Sequence, residues 1–166
     1  MVSLIASFLA VMAAVSGSWP LEPQPDVIAP FQPPSTAWGP GHRGADLLGS
    51  PDQPVHAALA GTVSFAGRVA GRGVVVVDHG ATRTTYEPVA ASVGLGDEVV
   101  AGEVVGTLEW FGSHCVPRAC LHWGLIEEPD HYLDPLTLVS CIPRPVRLLP
   151  LHGPAGVAQA LGCAWE

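Results

Sequence analysis

Glycine and proline interrupt this chain so often that short strands and turns are favoured over long helices. Nineteen glycines and seventeen prolines are spread through it, and both residue types punctuate structure rather than extend it. Between them lie short β-forming runs. Gly73-Val74-Val75-Val76-Val77-Asp78 is apolar and β-branched on both faces, the mark of a central strand. His79-Gly80-Ala81 supplies a turn, and Thr82-Arg83-Thr84-Thr85-Tyr86 returns as a partner strand. Val63 and Phe65 alternate with small or polar residues between Gly61 and Gly67. The stretch from Gly96 to Gly106 holds short strands with glycines at the corners, and Leu121 to Glu127 reads as a last strand. Helical patterning is poor except over Ala155 to Leu161. The expected fold is all-β: a compact antiparallel domain, sandwich- or barrel-like, with its edges closed by curvature.

The flanks differ in character. Residues 1–18 contain the apolar run Leu4 to Val15, too short for the roughly 17–25 residues of a membrane span but suited to a signal peptide. No arginine precedes the run, so a buried N-terminal strand or helix is the alternative. Residues 19–40 form a proline-rich, extended lead-in. Val27, Ile28, Phe31 and Trp38 make it too apolar for a solvated tether, so it should pack on the domain. The domain itself spans residues 41–140, and 141–166 form a tail in which Arg144-Pro145-Val146-Arg147 reads as a surface strap.

Charge and composition narrow the function. The formal net charge of −8 argues against a nucleic-acid partner, which demands a basic surface. All seven basic residues are arginine, so Schiff bases, P-loop phosphate binding and lipoyl or biotinyl attachment are excluded. Cys115, Cys120, Cys141 and Cys163 make an even count, consistent with disulfides in an exported chain. Cys115 with Cys120 in a small closed loop, leaving Cys141 with Cys163, is the preferred pairing; free or metal-bound cysteines are the alternative. Localisation is then secreted or cell-envelope, with membrane contact only through the N-terminal signal or anchor.

Two segments carry the chemistry. His42 and Asp46 lie four residues apart between glycines, and His122 lies in an apolar strand. Period-two geometry puts Cys120, His122 and Gly124 on one face of that strand and Leu121, Trp123 and Leu125 on the other. Two imidazoles and a carboxylate suit zinc, and three protein ligands with a fourth position open describe a catalytic site. Taken singly, each residue has a plainer reading, as a loop histidine or a satisfied half-buried one.

Taken in order, the motifs resemble the lysostaphin-like, LytM-type zinc peptidases that cut peptidoglycan cross-bridges. His42 to Asp46 is similar to that family's opening His-x-x-x-Asp, followed by an apolar turn, Leu47-Leu48-Gly49-Ser50-Pro51. Val55 to Val63, Val74 to Gly80, Gly96 to Gly106, Cys120-Leu121-His122 and Asp134-Pro135 match further family motifs in sequence order. The resemblance implies a zinc endopeptidase acting on peptidoglycan peptide as a monomer, with His42, Asp46 and His122 holding Zn²⁺. It also implies two accessory histidines, one in Tyr-x-His and one opening His-x-His. Those positions are Pro88 and Cys120 here. Glu87, His114 and His79 are the candidate replacements, although alternation sends Glu87 to the opposite face unless Pro88 accompanies a bulge. Cys120 is either a thiolate ligand that closes the metal site or half of a disulfide, the latter favoured by export. Losing both histidines leaves two functions in contention: the endopeptidase, and a weak or inactive envelope module of the same fold that binds peptidoglycan or regulates another hydrolase.

Overall fold

A computed structural model describes residues 17–36, 39–127 and 129–140. Eleven strands and one short 3-10 helix are present among them. The strands are β1 (Val27–Ala29), β2 (Ala45–Gly49), β3 (Pro54–His56), β4 (Gly61–Val69), β5 (Arg72–Asp78), β6 (Thr82–Glu87), β7 (Val89–Ala91), β8 (Glu98–Val99), β9 (Val104–Leu108), β10 (Ala119–Glu127) and β11 (His131–Leu133). The larger sheet runs β1-β2-β10-β6-β5-β4-β8, with β11 pairing β10; a smaller sheet runs β3-β9-β7. Every paired neighbour is antiparallel. The all-β, antiparallel class is the fold observed.

The core lies where the two sheets face each other. Val55, Val89, Val105 and Leu108 from the smaller sheet are buried with Leu47, Val75, Val77, Tyr86, Leu121 and Trp123 from the larger. Along β10, Leu121 and Trp123 are fully buried while His122 between them is only partly buried. A polar chain crosses this apolar interior. The Tyr86 hydroxyl accepts from the Ala58 N–H at 2.8 Å and from the Thr84 hydroxyl at 2.9 Å. Burial pushes the Tyr86 phenol up to about 12, so it remains a neutral hydrogen-bonding group.

Several elements depart from the sequence reading. Leu47-Leu48-Gly49 is strand rather than turn, because Leu47 has a core slot to fill and β10 is available to pair with it. β1, β7 and β11 are three-residue strands, too short to show periodicity. The lead-in is part of the folded unit: Leu21 is fully buried, Trp19 packs on Trp123 with ring centroids 6.5 Å apart, and β1 adds an edge strand. Residues 1–16, Trp38, Cys141, Cys163, the Ala155 to Leu161 helix and the 144–147 strap lie outside the described residues.

The packing of the lead-in has a measurable consequence. Leu21→Ala should destabilise the protein by about 2–5 kcal/mol, as for other buried leucines, in urea unfolding of the full chain. A negligible change would mean that the lead-in is only loosely attached.

Candidate metal centre

Strand register brings the site together. His122 on β10 stands directly opposite Asp46 on β2 and opposite Glu87 on β6. Directly opposed residues share a face of the sheet, so the three lie abreast on the side away from Trp123 and Leu121. His42 reaches the same spot from the segment before β2, which is bridged to the lead-in at Gln32. Gly44 permits the approach: a Cβ there would come within 2.5 Å of the Trp123 carbonyl oxygen and 2.7 Å of His122 Nε2. Gly44 therefore serves by leaving room for the His122 ring and the Trp123 backbone.

Three atoms converge. Asp46 Oδ1 lies 2.8 Å from His122 Nδ1 and 3.2 Å from His42 Nε2, and the two imidazole nitrogens are 3.1 Å apart. His42 Nδ1 lies 2.9 Å from the Pro30 carbonyl oxygen. A carbonyl only accepts, so a neutral ring that donates to Pro30 carries its hydrogen on Nδ1 and directs the Nε2 lone pair at the site, whereas the Asp46 carboxylate, an acceptor too, competes for that hydrogen at Nε2. In the Nδ1–H form the His42 lone pair and the carboxylate oxygen face each other at close range. Such an arrangement is satisfied by a cation between them, or by a proton supplied from His122. Two imidazole nitrogens and one carboxylate oxygen form a donor set that suits zinc among the borderline metals. Burial works to raise the Asp46 carboxyl, but the hydrogen bond and charge of His122, with the charges of His42 and His114, outweigh it and hold it below the usual range.

His114 is the fourth member of the cluster. Its Nδ1 is 3.7 Å from Asp46 Oδ1, and its ring centroid is 5.2 Å from that of His122. Burial, the largest influence, lowers its pKa despite the opposing Asp46 charge, which favours the neutral imidazole. The loop that carries it is tied at both ends. Cys115 is disulfide-bonded to Cys120, so Cys120 holds no free thiolate for a metal. The Ser113 hydroxyl accepts from the Cys115 and Cys120 N–H groups and donates to the Arg118 carbonyl.

The remaining candidates divide. Alternation holds along β6, with Thr84, Tyr86 and Pro88 buried and Glu87 on the other face, but that other face is the one His122, its register partner, occupies. Its carboxylate is engaged at the rim by Arg72, 2.8 Å away. His79 is not brought to the site. One ring nitrogen contacts the Ala60 carbonyl at 2.9 Å and the other the Thr84 hydroxyl at 2.9 Å, which makes it the outer end of the buried Thr84–Tyr86 chain. The Asp-His-Gly turn is structural in the same way, since Asp78 accepts from the Gly80 N–H at 2.7 Å. Sequence reasoning missed Arg72 and the Pro30 carbonyl, neither of which carries a motif.

The sequence profile of peptidase family M23 matches residues 40–135. The chain belongs to peptidase family M23. An uncharacterized protein of Mycobacterium tuberculosis is 49% identical over 137 residues, covering 80% of this chain. The chain spans 54% of that relative's length. Among solved structures, Helicobacter pylori Csd3 is similar with a TM-score of 0.63 at 22% identity, over 76% of this chain and 35% of that one. The catalytic domain of the antimicrobial peptidase lysostaphin from Staphylococcus simulans gives 0.58 at 21% identity, over 69% of this chain and 92% of that one. At these identities the structures share the fold, which is that of the lysostaphin-type members of the family.

Separating His79 from the cluster generates a test. His79→Ala should lower stability by about 1–3 kcal/mol, the usual cost of stranding a buried hydrogen-bonding partner, and leave zinc affinity unaltered. A large loss of metal affinity in a protein of undiminished stability would return His79 to the site.

Proposed function

We propose that this M23 domain is a zinc-dependent endopeptidase that hydrolyses peptide bonds of cell-wall peptidoglycan, outside the cytoplasm. The observation that carries the reading is the convergence of His42 Nε2, Asp46 Oδ1 and His122 Nδ1 on one point at the face of the larger sheet. These three residues would hold the ion. A bound zinc would supply Lewis-acid polarisation of the scissile carbonyl and acidify a water.

The chain's own residues supply the rest. The sheet fixes Asp46 and His122 through adjacent strands, so they are oriented before any ligand arrives. His114, carried beside the cluster on its tethered loop, would take a proton from the attacking water and return it to the leaving amine. In this reading it fills the role of the histidines implied at Pro88 and Cys120. The Arg72–Glu87 pair borders the same face and offers a charged rim to a peptide backbone.

A second reading has specific support. Position 88 is a proline, and position 120 is locked in a disulfide, so neither implied histidine is replaced in place. The domain would then be a weak or inactive envelope module that binds peptidoglycan or regulates another hydrolase.

Digestion of purified peptidoglycan separates the two. The endopeptidase reading expects muropeptide release by the native protein and none by His122→Ala. It expects His114→Ala to keep its zinc yet lose about 10²–10⁴-fold in kcat, the range for a general acid–base group. Equal release by the native protein and His122→Ala would end the zinc-hydrolase reading. A zinc-loaded native protein that releases nothing would favour the module.

A further inference from the structure

We infer that the proline-rich lead-in is a working part of the metal centre, with the main-chain carbonyl of Pro30 acting as the positioning group that selects which nitrogen of His42 faces the site. The inference rests on the reading of His42 as a ligand. Pro30 O lies 2.9 Å from His42 Nδ1. A neutral imidazole has one N–H, and the shorter contact to the Pro30 carbonyl competes for it against the 3.2 Å contact of Nε2 with Asp46 Oδ1, favouring Nε2 in the lone-pair role. An imidazole without that partner is free to place its hydrogen on Nε2, where it would point at Asp46 and block a cation.

The carbonyl is held firmly enough to act this way. Gln32 and His42 exchange two backbone hydrogen bonds, of 2.9 and 2.8 Å. One step further in, Ala29 on β1 stands opposite Asp46 on β2, and the Leu48 N–H donates to the Asp26 carbonyl at 2.9 Å. Both the imidazole and the carboxylate ligand are therefore backed by the same lead-in. Gly41 allows the two backbones to lie flush, since a Cβ there would meet Gln32 O at 2.7 Å and Pro34 N at 2.8 Å. Pro30 and Gln32 both precede residue 40, where the family match begins. The unit that binds metal competently thus starts well before the segment that carries the family motifs.

The test uses the full chain. Replacing Phe31 by its α-hydroxy acid turns the Pro30–Phe31 amide into an ester and weakens the Pro30 carbonyl as an acceptor without altering a side chain. Gln32→Pro, which removes one N–H of the bridge at an exposed position, is the second variant should the ester chain fail to fold. Nitrogen NMR of the metal-free native protein in mildly alkaline buffer should find His42 as the Nδ1–H tautomer, and each variant should shift toward a mixture. Zinc titration should show affinity falling about 10-fold or more, the usual effect of losing an outer-shell partner, at an unchanged urea midpoint. An Nε2–H tautomer in the native protein, or variants that keep both tautomer and affinity, would overturn the inference. A native protein with the Nδ1–H tautomer but no zinc affinity would uphold the positioning of His42 and sink the metal reading instead.

Discussion

The placement of β10 between β2 and β6 is the constraint on which the rest depends. Its register sets His122 opposite Asp46 on one side and Glu87 on the other. That register is enforced from behind. Leu121 and Trp123 are fully buried against Leu47, Val55 and their neighbours, and each such side chain contributes roughly 1.5–3 kcal/mol on burial. A one-residue slip would turn His122 into the core and Trp123 into solvent. The apolar face of the strand therefore determines the geometry of the polar face, and the carboxylate–imidazole pair is positioned by packing rather than by its own attraction.

Two further groups are delivered to that pair from outside the central strands. His42 arrives on the segment before β2, oriented by a carbonyl twelve residues upstream. His114 arrives on the loop before β10, between Ser113 and Cys115, both of which are anchored. The His42 ring is held by a backbone carbonyl and the His114 loop by the Ser113 hydroxyl and the disulfide, which limits the freedom that a metal or substrate would otherwise have to remove. Cys120 takes part in this scaffold instead of in chemistry.

Much of this was legible in the sequence because it followed from period-two alternation and turn residues. The valine run of β5, its partner β6, and the split of β10 into His122 on one face with Leu121 and Trp123 on the other all follow from side-chain chemistry alone. What was not legible depended on pairing partners. The strand character of Leu47 to Gly49 required knowing that β10 lies beside it. Alternation does send Glu87 away from Tyr86 and Pro88, but only its register with His122 shows that this is the face of the site. His79 and His114 looked alike as candidates, one following a strand and one preceding a cysteine loop. Only the three-dimensional partners, Thr84 for the first and Asp46 for the second, distinguish them. A main-chain carbonyl such as that of Pro30 leaves no trace in residue identity at all.

His42, Asp46 and His122 are proposed to hold one zinc ion at the point where their donor atoms meet. Anomalous diffraction at the zinc edge, from crystals of the purified full-length protein, addresses this directly. The expected result is a single peak bonded to His42 Nε2, Asp46 Oδ1 and His122 Nδ1 at roughly 2.0–2.2 Å, with a fourth position left open to solvent. A peak elsewhere, or crystals grown with zinc that show none at this cluster, would contradict it.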